Sequence, residues 1–481
     1  MEAIIVIAAA AALVWAIVFT ARIPLALACL LYLIAGCCFG KYFYAIDAAI
    51  PISLDRLLLV LVAGTFVVRR ALRRYEPKPL DRADYVLLAF VGWLVLQTLL
   101  IDWSHKPPGK DNITPLWHLL VGYLIPFSLY WIARQSTLDD RGVSAVHWGL
   151  AGFGVYLAIT GILEGIGASA LVFPRYIADP DVGIHFGRAR GPMVQSARFG
   201  TYLNICFAAA FVGLYWRGRW GRPGVLLLML LTPLFLAASA FTYTRSVWMG
   251  SGLILLVLLA LLLRGAWRPL TLGALVLVAL AAVAVKRDDL IAFEREKSAA
   301  VTRESTYMRA SFAYVSWKMF QDQPIFGRGF SQFPLDSKYY LSDRDVDLKL
   351  EALRGYIHHN TYLSILVDTG LIGLVLFLLV LGGSIYQAWR LWRDPDAPDW
   401  ARGHALLHMA AMAVYLVQLM SREVSYTPIE NGVICLLAGI TIGTRMKLAG
   451  QRDKLHDATH HAAEGWTGMR SGLPATSFPR T

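Results

Sequence analysis

The stretch that decides the fold is Gly355–Phe377, GYIHHNTYLSILVDTGLIGLVLF, in which a polar segment passes into a long apolar one. The apolar part covers 360–389 and is longer than the roughly 20 residues that a helix needs to cross a membrane. It therefore predicts a membrane-spanning helix that begins directly after the pair His359-Asn360. Nine residues separate this pair from Gly370, and two more separate Gly370 from Gly373. A polar pair and two small residues thus share one helix.

Apolar runs of this length recur along the whole chain. Hydrophobic residues make up 57% of the sequence and charged residues only 16%, with a mean hydropathy of +0.52. Soluble domains are roughly 25% charged, so the composition excludes a soluble globular protein. The runs lie at 3–20, 23–39, 50–68, 84–101, 115–133, 145–163, 199–216, 224–241, 246–263, 267–285, 360–389, 403–420 and 429–446. The sequence predicts an all-α polytopic membrane protein with 12–13 transmembrane helices.

The net charge of +12 indicates a membrane orientation rather than nucleic-acid binding. Arginine and lysine are concentrated in alternate short loops and in the segment after Thr444. By the positive-inside rule these loops and the C-terminus are cytoplasmic. The periplasmic loops are then 102–114, 164–198, 242–245, 286–358 and 421–428. We expect the functional face to be periplasmic, because it carries by far the longest polar loop.

This large loop divides the chain into four parts: transmembrane helices 1–10 with short loops in 1–285, the periplasmic loop 286–358, the last spans in 359–446, and a polar cytoplasmic tail, 447–481, that we expect to be disordered. Loops this long are more often functional than plain connectors. Within the loop, 305–320 predicts an amphipathic helix. Its apolar positions at helical spacing are Met308, Phe312, Val315 and Met319.

The spacing around His359 resembles the signature of the O-antigen ligases. The matching pattern is His359-Asn360, nine residues, Gly370, two residues and Gly373. The superfamily also holds the O-antigen polymerases and the pilin-type protein O-oligosaccharyltransferases. Gly370 and Gly373 themselves we interpret as packing residues, since small side chains let neighbouring membrane helices approach closely.

Two further stretches carry the resemblance. Arg309, followed fifteen residues later by Pro324 in RASFAYVSWKMFQDQPIFGRGFSQF, is similar to the family's arginine-bearing helix and the turn after it. Thr244-Arg245-Ser246, at the end of a span, is similar to its Ser-Arg-Gly motif. The chain differs at Gln321–Pro324, where the family often has a histidine, and at Arg198–Thr201, where it often has asparagines. These differences leave the subfamily, and therefore the acceptor, open.

The resemblance implies an enzyme that moves a preassembled glycan from undecaprenyl diphosphate to a hydroxyl of lipid A-core. Negative charge then builds on the leaving diphosphate. Arginine suits that charge because it stays protonated and binds phosphate oxygens with two nitrogens. Arg245 and Arg309 are the catalytic candidates. The arginines expected to bind substrate are Arg303, Arg328 and Arg354.

His359 is the candidate general base for the acceptor hydroxyl, because an imidazole near neutrality can take up a proton. His358 is the weaker candidate, since the spacing counts from His359. Asn360 is expected to contact substrate. The alternative interpretation makes His359 an interfacial histidine at a helix start with Asn360 as its cap, and Arg245 an arginine that snorkels at a helix end.

Other functions stay open at this point. A polymerase would extend a glycan on another lipid-linked unit, and a protein O-oligosaccharyltransferase would use a protein hydroxyl. A transporter of lipid-linked glycans is the more distant alternative, and the chain shows no internal repeat of the kind common in transporters. We expect no cofactor and no metal, because the alternating Asp343, Asp345 and Asp347 fit a solvated loop best.

Overall fold

The computed structural model describes residues 22–46, 52–73, 77–104, 114–136, 138–217, 222–263, 299–343 and 346–470, with a few isolated positions besides. Within them the main helices are α1 (Leu25–Cys38), α2 (Leu54–Ala71), α3 (Arg82–Leu99), α4 (Pro115–Gln135), α5 (Asp140–Gly165), α6 (Ser196–Arg217), α7 (Arg222–Ala240), α8 (Arg245–Leu262), α9 (Ala299–Asp322), α10 (Thr361–Arg393), α11 (Asp399–Ser421) and α12 (Pro428–Arg470). Strands β1 (Ala45–Ile46) and β2 (Ile52–Ser53) pair antiparallel.

Seven of the described helices are long and apolar enough to cross a membrane: α3, α4, α5, Ser196–Leu214 of α6, α10, α11 and Pro428–Lys454 of α12. Shorter apolar helices are α1, Leu226–Ala240 of α7 and Arg245–Ala260 of α8. Helix α2 coincides with the predicted span 50–68, and the predicted spans 3–20 and 267–285 lie largely outside the described residues. The prediction of an all-α polytopic membrane protein is confirmed.

Helices α6 and α11 lie at the centre of the bundle, where 89% and 78% of the residues in their most apolar stretches are buried. Glycine permits the closest packing, as in α12. A methyl group added at Gly439 or Gly443 would lie 2.4 Å from the carbonyl oxygen of Tyr130 or Arg134 in α4. Helix backbones that touch in this way are typical of membrane bundles, where small residues let dispersion forces act at short range.

One ion pair is fully buried where α3 begins and α4 ends. The guanidinium of Arg134 donates to the carboxylate of Asp84, and both side chains are at most 1% exposed. Tyr130 donates to the other oxygen of Asp84. Asp84 also forms a reciprocal capping box with Asp81 at the start of α3. This pair lies at the end of the bundle that the charge pattern predicts to be cytoplasmic.

We call the other end of the bundle the loop end. There α8, α10 and α12 begin, α11 ends, and α9 packs against α10. Phe312, Val315 and Met319 are buried in a cluster of their own with residues of the segment 333–353. The amphipathic helix predicted for 305–320 is therefore present, within the longer α9. The large loop is a packed subdomain from residue 299 onward.

Two expectations are corrected by the structure. Gly370 does not simply pack a continuous helix, because its φ of 68° and ψ of −168° break α10 into two parts. Gly373 does lie in tight packing, against Thr369 and Trp93. The tail predicted to be disordered from residue 447 continues α12 as far as Arg470.

Candidate active site

The sequence reasoning proposed His359, Arg245 and Arg309 as catalytic residues, and all three lie at the loop end. His359 precedes α10, Arg245 begins α8, and Arg309 lies in α9. The side chains of all three are exposed to solvent. The end of α11 connects α8 with α10, because the Gln418 amide donates to the Ser246 carbonyl at 3.3 Å and the Met420 carbonyl accepts from Asn360 at 3.0 Å.

The contacts that orient the imidazole of His359 include a ring stack and a hydrogen bond. Its ring stacks on Phe312 of α9. Its Nδ1 lies 3.0 Å from the carbonyl oxygen of Ile357, which can only accept, so Nδ1 carries the proton of the neutral ring. The lone pair is then on Nε2. This tautomer presents a proton acceptor at Nε2 of an exposed side chain, as a general base requires.

His358 points the opposite way, into the subdomain, where it is 2% exposed. Its Nδ1 accepts from the Asn360 amide at 3.0 Å, so Nε2 donates to the Ser316 hydroxyl at 2.6 Å. Ser316 in turn donates to the Phe312 carbonyl. Burial, and after it the neighbouring His359, lowers the pKa of His358 to about 3. His358 therefore stays neutral and fastens the start of α10 to α9.

Asn360 caps α10. Its side-chain oxygen accepts from the Leu363 amide at 3.0 Å, and its side-chain nitrogen donates to the Met420 carbonyl at 3.0 Å. Both ends of the amide are thus used within the fold, as the capping interpretation predicts. Contact between Asn360 and substrate stays a prediction.

Arg309 and Arg245 lie on different helices of the loop end, and the charge of Arg245 acts on Arg309. Although the side chain of Arg309 is exposed, nearby protein partly desolvates its guanidinium, and this desolvation, followed by the positive charge of Arg245, lowers the pKa of Arg309. Arg309 lies one helical turn before Phe312, on the face that holds His359. Arg309 therefore lies on the helix that supports His359, and Arg245 begins a helix at the same end of the bundle. A like charge nearby disfavours the charged form of a guanidinium, and a bound anion would offset this effect.

The other predicted arginines have different surroundings. Arg328 donates to Asp322 at 2.7 Å and to the hydroxyl of Tyr340. Arg354 makes two 3.0 Å hydrogen bonds to Glu351 on the surface. Arg303 lies in α9, before Arg309. Substrate binding by Arg303, Arg328 and Arg354 stays a prediction.

The sequence reasoning missed a charged network between α6, α11 and α12. Glu430, at the start of α12 and fully buried, accepts from Arg422 at 2.8 Å and from Arg198 at 3.3 Å. Arg422 also donates to Gln418, the residue that contacts Ser246 beside Arg245. Arg422 and Glu430 lie near the ends of adjoining apolar runs, and this position could have indicated an ion pair, because charges at membrane depth need partners. That these two residues contact each other is seen only in the structure.

Within the described ranges, no group of three or more His, Cys, Asp or Glu side chains is arranged to hold a metal ion. The candidate residues at this end of the bundle include the arginines Arg245 and Arg309. Their chemistry is the recognition of phosphate or carboxylate oxygens.

Comparison with known proteins agrees with this chemistry. A search among curated proteins finds no match to the chain. A family model described as O-antigen ligase matches residues 230–378. The matched segment contains Arg245, Arg309, His359, Gly370 and Gly373. The match covers less than half of the chain, and through this segment the chain is similar to the O-antigen ligase family.

Proposed function

We propose that this protein transfers a preassembled glycan from undecaprenyl diphosphate to lipid A-core, at the periplasmic face of a bacterial inner membrane. The observation that carries the proposal is the position of Arg245, Arg309 and His359 at the same end of the bundle, with His359 stacked on the helix that carries Arg309. It joins two fixed positive charges with a proton acceptor, as displacement of a diphosphate by a hydroxyl requires. The similarity of residues 230–378 to the O-antigen ligase family supports the same class of reaction.

The two arginines would bind the diphosphate and stabilise the charge that develops on it. The charge of Arg245 disfavours the charged form of Arg309. A diphosphate placed between them removes this repulsion and accepts hydrogen bonds from both guanidinium groups. The stabilisation grows as the bond from the anomeric carbon to the diphosphate oxygen breaks, which lowers the barrier rather than only tightening binding.

His359 would take the proton of the acceptor hydroxyl at Nε2 while the hydroxyl oxygen attacks the anomeric carbon. One bond forms and one breaks, the diphosphate leaves with the bonding electron pair, and the proton stays on the imidazolium until solvent removes it. A single displacement inverts the configuration at the anomeric carbon. The mechanism needs no cofactor and no metal ion, because the arginines carry the charge of the leaving group.

The test uses purified protein in detergent with EDTA, undecaprenyl-diphosphate glycan and rough lipopolysaccharide. Wild type is compared with His359→Ala, and with Arg402→Ala, which changes an arginine paired to Asp399 at the opposite end of the bundle. We expect a glycan ladder on the lipopolysaccharide from wild type and Arg402→Ala only. An undiminished His359→Ala variant would remove His359 from the mechanism.

The same assay distinguishes the acceptors within the superfamily. If the lipopolysaccharide stays unmodified while longer glycans accumulate on undecaprenyl, the protein is a polymerase. If neither product forms but a pilin-type protein is glycosylated, the acceptor is protein. Either result leaves the proposed roles of the arginines intact and replaces lipid A-core as the acceptor.

A further inference from the structure

The break in α10 removes backbone hydrogen bonds that a continuous helix would make. In an unbroken helix the amides of Leu371 and Ile372 would donate to the carbonyls of Val367 and Asp368. Instead they donate to the carbonyls of Pro324 and Ile325, at 2.8 and 3.4 Å. These acceptors belong to the turn that follows α9 in the large loop.

The same turn also supplies the missing donors. The amide of Arg328 donates to the Val367 carbonyl and the amide of Gly329 to the Asp368 carbonyl, both at 2.9 Å. All four backbone groups that the break leaves without helical partners are thus satisfied by Pro324–Gly329. We call Pro324–Gly329 together with Val367–Ile372 the joint.

Glycine is required on both sides of the joint because the two backbones touch. A methyl group on Gly370 would lie 2.1 Å from the Ile325 carbonyl oxygen, and one on Gly327 would lie 2.5 Å from the Gly370 nitrogen. The backbone angles of Gly370 also fall in a region that only glycine adopts readily. The glycine of the His359 signature and the glycine of the turn after α9 therefore serve one contact.

Side chains fasten the joint further. The Asp368 carboxylate accepts from the amides of Ser331 and Phe333, at 2.9 and 3.2 Å. From α3, Gln97 donates to the Phe326 carbonyl at 2.9 Å and Trp93 donates to the Thr369 carbonyl at 3.1 Å. One transmembrane helix thus holds both halves of the joint.

We propose that the joint positions the reacting groups, with Gly370 as a positioning residue that itself touches no substrate. The half-helix Thr361–Thr369 begins directly after His359 and Asn360. The turn follows directly after α9, which carries Arg309. Because both elements are fixed at the joint, it sets where His359 stands relative to Arg309. This inference rests on the proposed function for its kinetic test, and its structural test is independent.

The experiment compares Gly370→Ala with Gly382→Ala on the same helix. A methyl group at Gly382 meets nothing within 4 Å, and its φ lies outside the positive range. We expect Gly370→Ala to lower kcat on the order of 10²-fold, the effect of about 1 Å of misplacement, with the KM for the lipid-linked donor within about threefold of wild type. Gly382→Ala should match wild type in both constants.

Amide hydrogen exchange measures the joint without reference to activity. Gly370→Ala should exchange faster in 324–333 and 361–372 and be unchanged in α11. A wild-type exchange pattern with a wild-type kcat would overturn the inference, as would faster exchange with an unchanged kcat. If wild type transfers no glycan to any acceptor, the proposed function fails, while the exchange data still test the joint.

A second variant covers the case in which Gly370→Ala does not fold. Gln97→Leu removes the hydrogen bond from α3 to the turn and leaves the backbone of α10 unchanged. We expect a smaller fall in kcat, about 3- to 10-fold, with exchange increased only in 324–333. A fall in kcat accompanied by lower thermal stability and by faster amide exchange throughout the protein would show a general structural role. That result would overturn the positioning role.

Discussion

His359 stacks on Phe312 with ring centroids 4.8 Å apart and an angle of 22° between the planes. Phe312 is 3% exposed and belongs to the buried cluster of the large-loop subdomain, whereas His359 is exposed. A buried ring thus orients an imidazole that faces solvent. Arg309 lies one helical turn from Phe312. Helix α9 therefore carries Arg309 and also supports the ring of His359.

The first prediction concerns this stack. Phe312→Leu keeps an apolar side chain but removes the aromatic face on which His359 rests. Aromatic pairs contribute roughly 0.5–1.5 kcal/mol beyond burial, so we expect the rate of glycan transfer to fall about 2- to 12-fold. The measurement is the initial rate per folded molecule, at saturating donor, after size-exclusion chromatography.

Phe333→Leu is the matched control, because it removes a ring from the same cluster. The ring of Phe333 lies against Phe312 and His358. We expect a similar loss of stability and a transfer rate close to wild type. Equal rate losses in the two variants would mean that packing of the cluster, and not the stack under His359, controls the rate.

The second prediction tests whether Arg245 and Arg309 bind one anion. Arg309→Gln removes a charged donor to the diphosphate, and loss of one such donor typically costs about 10²- to 10³-fold in kcat. Arg309→Lys keeps the charge without the two-pronged geometry and should fall between wild type and Arg309→Gln. Rates are measured over a range of donor concentrations.

A double variant then reports on the coupling between the two arginines. If both groups stabilise the same diphosphate, the loss in Arg245→Gln with Arg309→Gln should be smaller than the product of the single losses. Independent, multiplicative losses would indicate two separate sites. Arg402→Gln, at the opposite end of the bundle, controls for the general loss of a positive charge.

The membrane architecture was predictable because it follows from local sequence. Runs of apolar residues long enough for a bilayer leave the backbone few alternatives to a helix. The amphipathic helix containing Phe312 and Met319 was visible for the same reason, since its spacing matches the helical repeat. The break at Gly370 was not visible. The apolar sequence continues through it, and the groups that satisfy it come from a distant turn.

Candidate residues could be chosen from the sequence where a motif fixes their spacing. Their hydrogen-bond partners could not be predicted where these come from other helices or turns. Motif spacing favoured His359 over His358, and the structure leaves His359 exposed and buries His358. The pairing of Arg328 with Asp322 and Tyr340 depends on how the turn after α9 folds. The contact of Arg422 with Glu430 depends on the ends of α11 and α12 meeting. Neither contact has a signature in the linear sequence.

The third prediction is a pH dependence of the subdomain that arises from His358. Its folded pKa of about 3 lies below the ordinary value near 6.5, so the fold favours the neutral ring. The stabilisation is complete above pH 6.5 and is lost as the pH falls toward 3. Between pH 6.5 and 5 we expect a loss of roughly 2 kcal/mol.

Hydrogen exchange of peptides covering 308–333, corrected for intrinsic pH effects, measures this loss. His358→Gln offers an acceptor for the Asn360 amide and a donor for Ser316 without a group that titrates in this range. We expect the exchange protection of this variant to change little between pH 7 and 5. The same loss of protection in wild type and His358→Gln would assign the pH dependence to another group.

The fourth prediction concerns the buried pair at the opposite end of the bundle. Asp84→Leu leaves the guanidinium of Arg134 buried without its carboxylate, and breaking a buried pair in this way typically costs about 3–5 kcal/mol. Asp394→Ala removes the partner of Arg452 in an exposed pair, for which about 0–1 kcal/mol is expected. Thermal unfolding in detergent should therefore shift to lower temperature in Asp84→Leu and barely change in Asp394→Ala. Similar shifts in both variants would mean that burial does not decide the contribution of these pairs.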